Sequence, residues 1–125
     1  MKYNFRIIES KDTLKGDIIL SPLLEIENSQ RYGWFFSDEL NNLSTDIEYV
    51  AVIVDNLEKL VDCKLEFYND FGYEVYVIEC NQKEALVKNI YEEDKVEAII
   101  PIIDIYTLMK DWLFFLIDFK AKEKI

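Results

Sequence analysis

Hydrophobic and polar residues alternate most cleanly over residues 64–80, KLEFYNDFGYEVYVIEC, where two runs flank a turn and predict a β-hairpin. Pairing Asn69 with Tyr73 sets Phe67 opposite Val75 and Leu65 opposite Val77, and gathers these four residues with Tyr73 on one apolar face. Lys64, Glu66, Tyr68, Glu74, Tyr76 and Ile78 fall on the other face. The loop is then Asp70-Phe71-Gly72, with Gly72 in the left-handed conformation that closes many three-residue hairpin loops.

Residues 2–8 alternate as a half-buried strand, and residues 18–20 and 23–27 are short strands separated by a bend at Ser21-Pro22. Trp34-Phe35-Phe36 fits a buried strand, although Trp34, directly after Gly33, is also placed to sit at a surface. Thr45-Asp46-Ile47-Glu48 matches a capping box with Thr45 at N-cap, and predicts a helix over about 46–62. The β-branched stretch before Asp55 leaves a strand over 48–54 as the competing assignment. A second cap signal at Asn81 predicts a helix over about 82–92, and residues 96–100 form a strand ended by Pro101. Asp104 then caps a last helix over about 105–122, with Ile105, Leu108, Met109, Trp112, Leu116 and Phe119 as its main apolar stripe. The sum is a single α+β domain, residues 1–125: an antiparallel sheet including hairpin 64–80, packed against two or three helices (about 46–62, 82–92 and 105–122).

Composition is compatible with that architecture. Half of the 125 residues are hydrophobic, enough for a real core and too many for intrinsic disorder. The most apolar segment, residues 99–119, is interrupted by Pro101, Asp104, Lys110, Asp111 and Asp118, which argues against a membrane span. The opening MKYNFRIIES lacks the apolar core and cleavage site of a signal peptide, so a cytoplasmic location is expected. Cys63 and Cys80 have opposite parity in the hairpin register and are expected to be reduced thiols.

Charge changes the picture more. The net charge is −11, and the 16 acidic and 5 basic residues between Asp38 and Glu97 account for all of it; the 9 acidic and 9 basic residues outside that window cancel. Such a field repels nucleic acid and anionic membrane and attracts a basic protein. Candidate chemistry narrows the class further. There is no histidine, which removes the commonest general base and metal ligand. Three glycines, at 16, 33 and 72, make no phosphate-cradling loop, and two cysteines without histidine argue against zinc. No catalytic, cofactor-binding or metal-binding set is assigned. The carboxylate sets Asp38-Glu39, Asp46/Glu48, Asp55/Glu58 and Glu92-Glu93-Asp94 leave a carboxylate-based hydrolase as a minor alternative, since no spacing singles one out.

The residues expected to meet a partner are Glu66, Tyr68, Asp70, Glu74 and Tyr76 on and beside the polar hairpin face, with Asp55 and Asp62 from the preceding helix. Tyrosine beside carboxylate suits an interface with Arg- or Lys-rich protein. The middle acidic window and the Tyr68/Glu74/Tyr76 face resemble, in type, the immunity proteins of bacterial polymorphic toxin and contact-dependent growth inhibition systems. That resemblance implies a non-enzymatic inhibitor of a basic toxin domain, a nuclease above all, whose active site or substrate surface it occludes. The alternative is an acidic adaptor or structural subunit, homodimeric through the Trp112–Phe119 segment, with no toxin partner.

Overall fold

The computed structural model describes residues 1–73, 75–93 and 95–123, without the side chains of Asp38 and Glu123. In chain order the elements are strands β1 (Tyr3–Lys11) and β2 (Ile18–Ile26), helix α1 (Ile47–Val61), strands β3 (Phe67–Tyr73), β4 (Tyr76–Asn81), β5 (Glu84–Asn89) and β6 (Lys95–Pro101), and helix α2 (Ile102–Glu123). β1 and β2 form a two-stranded antiparallel ribbon, and β3-β4-β5-β6 form an antiparallel meander. α1 packs on β3 and β4, α2 packs on β5 and β6, and the two helices lie against each other. The α+β class expected from the sequence is the one observed.

Residues 48–54 are helical, because Val50, Ile53, Leu57 and Leu60 recur at helical spacing and are buried on one face. The N-cap is Asp46 rather than Thr45: its side chain accepts the Tyr49 N–H at 3.1 Å. At the other end Cys63 takes a left-handed conformation (φ 59°), with the Cys63 N–H bonded to the Leu60 carbonyl and the Lys64 N–H to the Lys59 carbonyl. This is a Schellman cap with a cysteine where glycine is usual. The expected helix over 82–92 is instead β5 followed by a short turn, Ile90–Glu92. Asn81 does accept two backbone N–H groups, from Lys83 and Glu84 at 2.8 Å each, but there it closes the β4–β5 turn. Ala85, Val87 and Asn89 alternate into the core. α2 starts at Ile102, directly after Pro101, so Asp104 lies in its first turn and is not the expected cap; the helix buries the expected stripe around Trp112. Trp34-Phe35-Phe36 is not a strand but opens a π-type turn, Phe35–Glu39, that buries both phenylalanines. β2 runs unbroken through Pro22, since each strand of a two-stranded ribbon has a free edge.

The hairpin exists in a different register. It closes on the Tyr73–Tyr76 pair, with Gly72 opposite Val77, Phe71 opposite Ile78 and Tyr68 opposite Cys80. Asn69 and Asp70 together face a single residue, Glu79, which makes a β-bulge. Without that extra residue, Tyr68 and Phe71 would point to opposite faces. With it, Tyr68, Phe71, Tyr76, Ile78 and Cys80 all face the helices, whereas Phe67 of the expected apolar face is exposed. Gly72 lies within β3 and not in a turn. A side chain there would come within 2.5 Å of the Tyr76 carbonyl, so close backbone approach requires the glycine.

The bulge is held by α1. The Tyr49 hydroxyl accepts the Gly72 N–H at 3.0 Å and donates toward the Asp70 and Gly72 carbonyls at 2.7 and 2.9 Å. Tyr49→Phe leaves a partly buried N–H and carbonyl unpaired and is expected to cost about 1–3 kcal/mol. A urea denaturation midpoint lowered at unchanged slope is the expected signature.

Candidate functional site

The residues expected to bind a partner do not form one surface. Tyr68 and Tyr76, at 7% and 9% exposure, belong to the core, because the bulge turns that face of the hairpin inward. The expectation of an exposed Tyr68/Tyr76 face is therefore corrected. Burial, and after it the nearby Tyr49 and Asp70, pushes the Tyr68 phenol above its ordinary range, and its hydroxyl has no hydrogen-bond partner among the described residues. Glu74 lies outside the described residues. Asp55, Asp62, Glu66 and Asp70 are exposed. Asp55 and Asp62 share the outer face of α1, seven residues apart, and Glu66 follows that helix just before β3. Among them Asp55 has a cation close by, Lys59 at 3.1 Å, an exposed helical pair of small energetic weight.

A more defined concavity lies elsewhere, between Ser29–Tyr32 with the turn after it and the start of β6. It is an open cleft of about 650 Å³ lined by Ser29, Gln30, Trp34, Glu92, Lys95 and Glu97, among others. Trp34 is 60% exposed there. Gly33 is what brings the Trp34 segment against β6. Its φ of 86° suits glycine, and an added Cβ would lie 2.9 Å from the Glu97 carboxylate and 3.3 Å from Val87. The close approach lets the Trp34 N–H donate to Glu97 Oε1 at 2.9 Å, and Ser37 Oγ donates back to the Trp34 carbonyl at 3.3 Å. The lining combines the Trp34 indole with the Glu92 and Glu97 carboxylates and the Lys95 ammonium, and the first three are groups that can meet a guanidinium or ammonium by cation–π contact and charge-assisted hydrogen bonds. The sequence signal for this cleft was Trp34 placed after Gly33. Glu92 and Glu97 were not distinguishable among 25 acidic residues.

The two thiols are free and unlike each other. Cys80 is buried, its Sγ directed at the Ile78 carbonyl, and burial pushes its pKa up to about 12. Cys63 is exposed at the end of α1. Among the described residues no three His, Cys, Asp or Glu side chains come together as a metal-binding group, and no helix is long and apolar enough to cross a membrane. No protein-family model, curated protein or solved structure matches the chain. Iodoacetamide at pH 8 is expected to label Cys63 alone in the folded protein and both cysteines after denaturation, as read by intact mass.

Proposed function

We propose that the chain is a non-enzymatic binding protein that acts in the cytoplasm on a basic toxin domain, a nuclease being the class that fits. It neutralises that domain by occluding the active site or the surface that holds the phosphate backbone. The observation that carries this proposal is the segregation of charge: all of the −11 arises between Asp38 and Glu97, and Asp55, Asp62, Glu66 and Asp70 within that window are exposed. A field of this kind competes with a polyanion for the same basic groove and raises the rate of encounter. The Trp34 cleft adds a directional contact, a place where one arginine or lysine of the partner meets the indole and the carboxylates that line it.

The proposal is tested with a basic domain encoded beside this chain, by titration calorimetry and a nuclease assay at two salt concentrations. Binding is expected to inhibit cleavage and to weaken steeply with salt. Glu66→Lys combined with Asp70→Lys is expected to weaken association at least about tenfold, mostly through the on-rate, and Trp34→Ala to weaken it by a similar factor through the off-rate. Binding unchanged by the charge reversals would remove the acidic face from the interface. Binding without inhibition would leave an adaptor.

A further inference from the structure

The ribbon β1–β2 projects from the domain. Its base is anchored by Phe5 stacked on Phe115 at 5.0 Å between ring centres, and by the Tyr3 hydroxyl donating to Asp111 at 2.6 Å. Beyond the base, residues 6–11 and 18–21 are all exposed, although they include Ile7, Ile8, Ile18, Ile19 and Leu20. At the tip, Asp12 accepts the Leu14 and Lys15 N–H groups, Gly16 turns the chain at φ 74°, and Leu14 stands 95% exposed. The register places Ile7, Leu20 and Ile18, with Glu9 and Lys11 across from the last two, on the side that carries Tyr3, Phe5, Leu24 and Ile26 at the base, so the face packed on the core continues outward into solvent. A two-stranded hairpin without a third strand or a covering helix is marginal in water.

α2 carries a matching exposed stripe. Ile103, Phe114 and Ile117 lie on one side of it, since eleven residues make about three turns, and Phe114 is 58% exposed. The stripe borders the ribbon: Leu20 and Pro22 share a groove with Leu116 and Phe119 at the end of the same helix. Charge decides what covers these surfaces. The ribbon and α2 both belong to the part of the chain whose acidic and basic residues cancel, whereas the rest carries the full −11. Two copies repel through their acidic parts and can approach closely through this neutral face.

We propose that the ribbon of one copy packs on the Phe114/Ile117 stripe of α2 in a second copy, and the reverse, about a twofold axis. The outer six residue pairs of the ribbon reach about 20 Å along a helix about 33 Å long, so each copy offers both halves of the contact. Apolar contacts of this kind hold, or tighten, as salt screens the repulsion between the acidic bodies, opposite to the salt dependence expected for a basic partner.

Sedimentation equilibrium from about 1 to about 100 µM protein, at low and high salt, is expected to give twice the 14.9 kDa chain mass, with a dissociation constant that does not rise with salt. Ile18→Thr with Leu20→Thr, and separately Phe114→Gln, are exposed neutral changes and are expected to raise that constant at least about tenfold, while Trp34→Ala leaves it unchanged. Amide exchange of residues 7–11 and 18–20 in the unaltered chain is expected to slow as concentration rises, a readout that needs no variant. A 14.9 kDa species throughout, a dimer that dissociates with added salt, a dimer indifferent to both substitutions, or exchange independent of concentration would each overturn the proposal.

Discussion

The contact between the Tyr49 hydroxyl and the backbone at residues 70–72 sets the architecture of the domain. It joins α1 to the one place where β3 carries an extra residue. That extra residue lets Tyr68 and Phe71, three positions apart, enter the same core. Phe71 in turn meets Phe35 edge-on at 5.5 Å, and Phe35 tilts against Tyr76 at 6.2 Å. This aromatic cluster links the hairpin to the turn that follows Trp34, so a hydroxyl on one helix also steadies the far wall of the cleft. Buried polar atoms set the opposing cost. The Tyr68 hydroxyl and Trp112 Nε1 are enclosed without a partner among the described residues, and each such group costs on the order of 1–3 kcal/mol. Each polar atom belongs to a large aromatic side chain whose apolar ring is buried with it.

How much of this could be seen in the sequence follows from what each signal depends on. α1 and α2 were visible because their apolar spacing is local, although the caps were misplaced, at Thr45 for Asp46 and at Asp104 for a helix that starts at Ile102. The class was visible for the same reason. The hairpin was located correctly but set in the wrong register, since period-two alternation assumes a regular strand, whereas Asn69 and Asp70 form a bulge that reverses the parity after it. Nothing near residue 69 announces that; the partner holding the bulge is twenty residues upstream. Residues 82–92 misled differently. Leu86, Val87, Ile90 and Tyr91 satisfy helical spacing, and Asn81 caps a turn in either structure, so only pairing with β4 and β6 makes the segment a strand. Tyr68 and Tyr76 were lost as surface residues with the register. The Trp34 cleft depends on Gly33 approaching Glu97, sixty-four positions away, which no local pattern encodes.

The acidic residues are concentrated in one part of the chain, whereas the ribbon and α2 carry balanced charge. The acidic residues on the outer face of α1 and at the start of β3 leave a surface whose encounters are long-ranged and salt-sensitive. The ribbon and the outer side of α2 present Ile, Leu and Phe with balanced charge, a surface that acts only at contact. The first acts through its field and the second only by touch, so salt affects them in opposite ways.

The anchoring of the ribbon has a consequence for the order of assembly. The meander β3-β4-β5-β6 joins neighbours in sequence, and α1 precedes it directly, so most of its pairing is local and quick to form. Tyr3 and Phe5, by contrast, find their partners in Asp111 and Phe115, more than a hundred residues later. On a ribosome β1 and β2 therefore have no place to dock until α2 has been made. Until then Tyr3 and Phe5 lack the contacts that anchor the ribbon, so the pairing of β1 with β2 is secured only by a helix made long after both strands.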